Sequence, residues 1–531
     1  MNATTSAPNF RVARSRGILA RGGTLTFAAI LTVLGMGVVP ALASGVGPPS
    51  VLNVAQIGSQ DVPVLAGSEP DTLVEPDVAV SPVSPDIAVA ASHDGRYPDG
   101  GAVGIEYTWT HDGGATWHHQ PLPGVTKATG GSATWERASD PIVAFAADGS
   151  VYISTLVFNA GCDSAVLVSR STDGGQTFAQ PIEAHRSATC AISDDKNVLV
   201  VDTSAKSPHL GRVYQFWTPF LTDMFGNPDG SPQALVWSDD GGRTWTNPVN
   251  VSAPHANSQD SQPMVQPDGT LVDAYIDYGP NGSAEGPEVA GLRASARHAA
   301  PPATASASRS GAAAAYPVVT SVISKDGGST WKPGGTVTRD LGGGPVGFRC
   351  CLISTTVDPI SGRMFATWNS ADPSKVKLSW SQDGLNWSAP VVVNRPTSSL
   401  LGVNSDVSAY DGTVSVSFGL TNADITNGRF GRQFVATSRD GGRHFLAPTA
   451  VGPQINYAYA AQARGIFPGD YIGSAMSKTR LYAVWAVSST PPTAGAKFHQ
   501  VLFGATFDTL TTPVRASSAV AVDERSAVMN P

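Results

Sequence analysis

Positive charge is scarce in this chain. It carries 34 Lys and Arg against 42 Asp and Glu, a net charge of −8, and charged residues are only 14% of the sequence. An acidic protein of this kind is a poor partner for nucleic acid or anionic lipid. Long apolar runs are missing too. Beyond the N-terminus no stretch approaches the ~20 consecutive apolar residues that span a bilayer. The chain also lacks the plainest catalytic signatures: a G-x-S-x-G elbow, an H-E-x-x-H helix and a Gly-rich phosphate loop opening a helix. Only four cysteines are present.

The N-terminus is the one basic and apolar exception. Arg11, Arg14, Arg16 and Arg21 precede an apolar run from Leu25 to Val39, and Ala41–Ala43 offers a small-residue cleavage site. Residues 1–43 therefore read as a signal peptide, and a secreted, extracellular protein without a membrane anchor is expected. Loss of those four arginines takes the net charge from −8 to −12. Cysteines suit the oxidising compartment that export implies. Cys162 and Cys190 can bridge neighbouring loops. Cys350 and Cys351 are adjacent, with Cα atoms about 3.8 Å apart, so a bond between them would be strained. Two free buried thiols are the alternative.

What is abundant is turn and strand material, with 56 Gly, 40 Pro and many Val, Thr and Ser. One phrase returns six times: THDGGATW at Thr110, STDGGQTF at Ser171, SDDGGRTW at Ser238, SKDGGSTW at Ser324, SQDGLNW at Ser381 and SRDGGRHF at Ser438. Its aspartates, Asp112, Asp173, Asp240, Asp326, Asp383 and Asp440, are separated by 61, 67, 86, 57 and 57 residues. A period of that size, with several short strands in each unit, marks a radial β array. One unit shows the layout. Asp140–Gly149, Ser150–Phe158 and Ala165–Ser171 alternate as three strands, and after the Asp-Gly-Gly turn Thr177–Ile182 supplies a fourth. In the turn, the aspartate can accept backbone N–H groups, the glycines take positive φ cheaply, and the aromatic pins the hairpin.

The phrase S/T-x-D-x-G-x-x-W/F resembles the Asp-box of bacterial sialidases and the wider Asp-box (BNR repeat) propellers, and the likeness runs over about residues 70–510. It implies an all-β propeller of four-stranded antiparallel blades, with the boxes on outer hairpins and structural in role. First strands begin near Glu75, Asp140, Asp195, Gln262, Cys350, Ser405 and Gly469. That favours seven blades, with six, the number in sialidase catalytic domains, as the alternative. The last unit has no box, and Ser50–Ile57, within the N-terminal segment 44–69, can close the ring. The widest box spacing, 86, holds an Ala/Ser/Pro-rich stretch, residues 288–315, expected as a flexible loop between the second and third strands of the fourth blade. Residues 511–531 form a C-terminal tail.

Propeller ligands usually bind at the channel mouth, where the innermost strands begin. Aligning those strands by their first residues places Glu75, Asp140, Asp195, Gln262, Arg349, Asp406 and Asp470 around one rim. Crowded carboxylates raise one another's pKa, which suits a general acid. The same acids can instead cap their own strands or hold Ca²⁺ through oxygen ligands; no other cofactor is implied. The sialidase resemblance implies an exo-glycosidase acting on terminal acidic sugars. On that reading Arg349 holds the sugar, with Glu75, Asp195, Gln262 and Asp406 as further binding residues. Asp140 or Asp470 supplies the proton, and Tyr471 or a second acid attacks. The chain departs from the family in lacking an F/Y-R-I-P stretch before Asp112 and any recoverable arginine triad; the nearest phrase is Gly347–Cys351, GFRCC. A non-catalytic extracellular propeller that binds a glycan or a protein through the same mouth is therefore the competing reading. A monomer is expected. His118 and His119 adjoin the first box and read as outer-strand residues rather than metal ligands. Trp217, Trp368 and Trp485 end second strands and read as core.

Overall fold

The computed structural model describes residues 47–131, 133–280, 282, 316–510 and 528. Residues 1–43, expected to be a signal peptide, the 288–315 insertion and the 511–531 tail apart from Val528 lie outside the described residues. Among those described, no helix is long and apolar enough to cross a membrane.

Strands dominate because the sequence alternates β-branched and aromatic residues with short Gly, Asp and Pro punctuation. The runs Val151–Phe158 and Thr413–Asn422 are typical, and both are almost wholly buried. Every pairing between named strands is antiparallel, and the sheets are built from sequential meanders. Ser258–Val265, Leu271–Asp277, Val318–Ser324 and Lys332–Thr338 form one such sheet. Ser354–Val357 opens the next, Leu400–Tyr410 another, and Ile192–Val201 a sheet that also carries the short strand Pro228–Gly230. An eight-stranded sheet begins at Leu73–Val80 and divides into two meanders of four, joined at the single residue pair Ala102–Ala138. The second half begins at Arg137–Phe145.

The remaining sheet is assembled from both ends of the chain. Gly473–Met476, Arg480–Ser488 and Gln500–Asp508 pair in order, and Ser50–Gly58 adds to Gln500–Asp508 as the fourth strand. The first strands contact one another in a closed cycle. Leu73–Val80 touches Arg137–Phe145, and the contacts continue through Ile192–Val201, Ser258–Val265, Ser354–Val357 and Leu400–Tyr410 to Gly473–Met476, which returns to Leu73–Val80. The sheets are thus arranged radially around an axis lined by their first strands, the arrangement of a β-propeller.

The six repeated turns share one hydrogen-bond pattern. In the first, Thr110 Oγ1 donates to Asp112 Oδ1 at 2.8 Å and accepts the Gly114 N–H at 3.0 Å. Thr116 returns its N–H to Oδ1 and its hydroxyl to Oδ2, at 2.9 and 2.6 Å. The same set recurs around Asp173, Asp240 and Asp326, with Asn386 and His444 replacing the threonine at Asp383 and Asp440. These bonds outweigh the modest desolvation and hold Asp112, Asp383 and Asp440 down to about 2. Gly113 and Gly114 adopt φ of 72° and 82°, as the turn requires. The aromatic that follows packs on the preceding unit: Trp331 meets Phe216 edge-on at 6.1 Å, and Trp117 meets Tyr482 at 6.1 Å.

Apolar side chains fill the spaces between neighbouring sheets, and Trp217, Trp368 and Trp485 are among the largest fully buried groups. Cys162 and Cys190 form a disulfide between two adjacent loops, and Cys350 and Cys351 are also disulfide-bonded to each other.

Ring closure supplies a direct test. Ile57 on the N-terminal strand is 2% exposed and packs with Leu73, Val78, Tyr482 and Leu502, whereas Val51 on the same strand is 43% exposed. Ile57→Ala is expected to lower unfolding free energy by about 2–5 kcal/mol, and Val51→Ala by no more than about 0.5 kcal/mol. Denaturant titration of both variants checks this; equal, small effects would show that the strand does not close the fold.

Candidate functional site

Near its start, nearly every first strand breaks register, and a non-glycine residue there takes positive φ. These are Glu75 at 54°, Asp140 at 50°, Lys196 at 51°, Asp260 at 65°, Cys351 at 90° and Asn404 at 46°. The ladder slips between Val74 and Asp77, Ser139 and Ile142, Asp195 and Val198, Gln259 and Gln262, and Val403 and Ser405. These are β-bulges that re-aim the side chain at the slip. Glu75-Pro76 and Asp140-Pro141 show one local cause, because proline has no N–H to give the ladder. Non-glycine residues in the left-handed region are uncommon and gather where the surroundings over-determine them.

The bulges bring a compact charge cluster to the axis. Lys196 is 4% exposed, and Glu75, Asp140 and Asp260 are 1%, 4% and 0% exposed. Burial pushes the Lys196 ammonium down, but the charges of Asp140, Glu75, Asp260 and Asp470 outweigh it and hold the pKa above the usual lysine value. Desolvation pushes Asp260 up to about 6 despite Lys196 and the hydrogen bonds from Gln262 and Ile353. His93 joins from the second strand: its Nε2 accepts the Asp140 N–H at 2.8 Å and lies 3.0 Å from Glu75 Oε2. Glu75 Oε1 accepts the Asp470 N–H at 3.1 Å, and the Asp470 carbonyl accepts the N–H groups of Cys351 and Leu352. The cation that these acids act on in this structure is the Lys196 ammonium.

Tyr471 crosses this cluster. Its hydroxyl donates to the Pro141 carbonyl at 3.2 Å, and Lys196 Nζ lies 3.9 Å from its ring centroid. Desolvation first, then the charges of Glu75, Asp140, Asp77 and Asp470, raise the phenol well above 10. Beyond the cluster, Asp406 accepts hydroxyls from Ser354 and Ser474, and Asp77 Oδ2 accepts the Val143 N–H at 2.7 Å. Desolvation leads in raising both, Asp406 to about 6 and Asp77 to about 7. Further along the same strands a cavity of about 580 Å³ is lined by Val80, Phe145, Val201, Val265, Val357 and Met476, among others.

At the mouth two entry loops meet. Phe348 bridges to Ile466, and the Arg349 N–H donates to the Ile466 carbonyl at 2.9 Å. Gly344, with φ of 74°, lies over the Cys350–Cys351 bond, where a Cβ would come within 2.7 Å of both sulfurs. The Phe467 ring lies between two guanidinium groups, Arg96 at 4.1 Å and Arg349 at 5.5 Å. Arg349 Nη2 is 3.9 Å from Asp470 Oδ2, and these two side chains keep 17% and 18% of their surface exposed.

Of the residues expected around the rim, Glu75, Asp140 and Asp470 meet there, with Arg349 and Tyr471 beside them. Asp195, Gln262, Arg349 and Asp406 stand one or two places from the bulge positions, which are held by Lys196, Asp260, Cys351 and Asn404. Alignment on first residues cannot count the extra residue that a bulge inserts. Asp195 accepts from the Lys196 N–H and from Gln259, and Gln262 donates to Asp260 Oδ1 at 2.9 Å. Lys196, His93 and Asp260 carry no motif. The Glu-Pro and Asp-Pro pairs were the available sign of the slip.

No protein-family model and no curated protein matches the chain. Among solved structures it is similar to a Hadza microbial sialidase, at 14% identity over 86% of this chain and 94% of that one, with a TM-score of 0.43. It is also similar to an ulvan lyase of polysaccharide lyase family PL25, at 11% identity over 82% and 94%, with a TM-score of 0.44. A GH93 α-L-arabinofuranosidase of Fusarium graminearum gives 12% identity over 69% and 92%, with a TM-score of 0.41.

The charge cluster makes a pH-resolved prediction. Lys196→Met leaves Glu75, Asp140 and Asp260 buried without their cation and should cost about 3–5 kcal/mol at pH 8. A carboxyl whose folded pKa is raised, as for Asp260, adds stability that is present at low pH and lost as pH rises through about 6. The loss in the variant should therefore shrink at pH 5. Denaturant titrations at both pH values read the difference, and a cost independent of pH would contradict the assignment.

Proposed function

We propose that the protein is an exported seven-bladed propeller that binds an acidic glycan at its channel mouth through Arg349. The seven blades are the four-stranded groups whose first strands complete the contact cycle, with Ser50–Gly58 as the closing strand of the seventh. The observation that carries the reading is the contrast in exposure within one cluster. Glu75, Asp140, Lys196 and Asp260 are sealed, while the Arg349 and Asp470 side chains reach solvent.

Arg349 suits an anion of planar geometry. Its backbone is pinned to Ile466, its guanidinium lies 5.5 Å from the Phe467 ring centroid, and its side chain keeps 17% of its surface exposed beside Asp470. A ligand carboxylate can take the guanidinium fork in two parallel hydrogen bonds. Asp470, displaced from Arg349, then faces the ligand's hydroxyls or glycosidic oxygen. Phe348, which is half-buried, supplies apolar surface beside the charged groups, while the buried Phe467 backs the Arg349 guanidinium.

Turnover would make the same mouth a glycoside hydrolase site of the sialidase type, with Asp470 or Asp140 as proton donor and Tyr471 as nucleophile. That requires Tyr471 to leave the Pro141 carbonyl and to ionise among four carboxylates, which its raised pKa opposes. Binding needs no such rearrangement, and it is the function the geometry supports best.

The experiment is titration of the mature protein with sialylated and uronate-containing oligosaccharides, with products followed by mass spectrometry. Arg349→Ala should weaken binding at least tenfold, a loss of about 1.4 kcal/mol or more, while Tyr471→Phe leaves it unchanged. Saturable binding without product supports the binding propeller. Release of a terminal acidic sugar, lost in Tyr471→Phe, would establish the hydrolase instead. Absence of binding to any acidic glycan by the folded protein would remove the reading altogether.

A further inference from the structure

Away from the axis, the segment that closes the ring assembles a second set of ligand-type side chains. After Ser50–Gly58 the chain turns across the blade that begins at Leu73, and three backbone N–H groups fix it there. Ser59 donates to Glu106 Oε2 at 3.2 Å, and Asp61 and Val62 donate to Asp94 Oδ2 at 2.8 and 3.0 Å. This delivers the Asp61 carboxylate to His119 on the strand His118–Pro121. His119 Nδ1 lies 2.8 Å from Asp61 Oδ2 and 3.5 Å from Glu106 Oε2. One ligand atom from each of the three residues lies within 4.8 Å of the other two.

The set has the marks of a site rather than of a surface ion pair. Glu106 is 0% exposed, yet its Oε1 has no hydrogen-bond partner. Native proteins rarely leave a buried carboxylate oxygen unpaired. Oε1 lies against Gly58, where a Cβ would come within 1.9 Å of it, so the closing strand itself shapes the pocket. His119 is 33% and Asp61 23% exposed, which leaves an entry path.

The distances and donor types discriminate among ions. Donors at ~2.0–2.2 Å around a tetrahedral Zn²⁺ stand roughly 3.3–3.6 Å apart; the 3.5 Å between His119 and Glu106 falls in that range, and the 2.8 Å hydrogen-bonded pair of His119 and Asp61 has to open to reach it. One imidazole with two carboxylates suits Zn²⁺, whereas Ca²⁺ takes six to eight oxygen ligands. Asp94 holds the backbone that carries Asp61 and serves as an outer support of the kind metal ligands need. Glu75, His93 and Asp140 bring the same ligand types together at the axis, but there the Lys196 ammonium already supplies the positive charge.

We propose that Asp61, Glu106 and His119 bind a Zn²⁺ ion that fastens the N-terminal segment to the blade beginning at Leu73 and so secures ring closure. The site is structural and independent of the glycan reading, since it lies on the edge strand and not at the mouth.

The test uses tag-free mature protein stripped with a chelator and titrated with ZnSO₄ by calorimetry, with thermal unfolding measured in parallel. One Zn²⁺ should bind per chain and raise the unfolding temperature. His119→Gln and Asp61→Asn, both on partly exposed side chains, should each weaken Zn²⁺ binding at least ~tenfold and abolish the temperature rise. His118→Gln, on the adjacent exposed residue stacked on Trp109, should change neither. Absence of saturable Zn²⁺ binding by the folded protein, or binding that neither variant weakens, would overturn the proposal. CaCl₂ in place of ZnSO₄ should give no comparable rise; an equal response would overturn the choice of ion.

Discussion

Lys196 is the charge on which the centre of this molecule depends. Four acidic side chains from four separate blades act on its ammonium, and three of them are buried. Removing carboxylates from water is costly unless opposite charge and hydrogen bonds replace the solvent. Here the ammonium is the replacement, and it can serve several blades at once because the bulges aim each strand's side chain at the axis. The first strands are therefore positioned electrostatically at one end and by apolar contact further along, where Val80, Phe145 and Val201 line the cavity.

The architecture was legible because it is written many times over. Six copies of one turn, each with the same aspartate-centred bonds, set the period, and alternation between them set the strands. Ring closure by Ser50–Gly58 could be read because that segment resembles the outer strands of other blades. The site was less legible for a geometrical reason. A bulge adds one residue without changing the hydrophobic pattern around it, so Asp195 was read in the place of Lys196 and Asp406 in the place of Asn404. His93 was invisible for a different reason. It lies within a fully buried second strand, where nothing local distinguishes a histidine that meets Glu75 from one that merely packs.

Function here turns on which charges remain accessible. A tyrosine nucleophile needs surroundings that favour its anion, and Tyr471 has the reverse: a bonded hydroxyl and carboxylates on several sides. The lysine against its ring does not reverse this, because that lysine is shared with the acids. Arg349 differs in kind. Its backbone N–H is bonded to Ile466, its guanidinium packs beside the Phe467 ring, and 17% of its side chain stays exposed. That asymmetry separates the solvent-reaching side chains of Arg349 and Asp470 from the sealed cluster of Glu75, Asp140, Lys196 and Asp260.

The same thirteen or so residues at the N-terminal end of the fold do two jobs, and the two are coupled. Ser50–Gly58 completes the last blade, and the four residues after it lay Asp61 beside His119 and Glu106. If the closing strand detached, Asp61 would leave with it, and Glu106 would lose both the Ser59 N–H and the wall formed by Gly58. Any ion or proton held between these side chains therefore favours the closed ring by its own binding free energy. Closure of a circular array costs the chain entropy of bringing distant segments together, and a cross-link at the seam acts where that cost is concentrated.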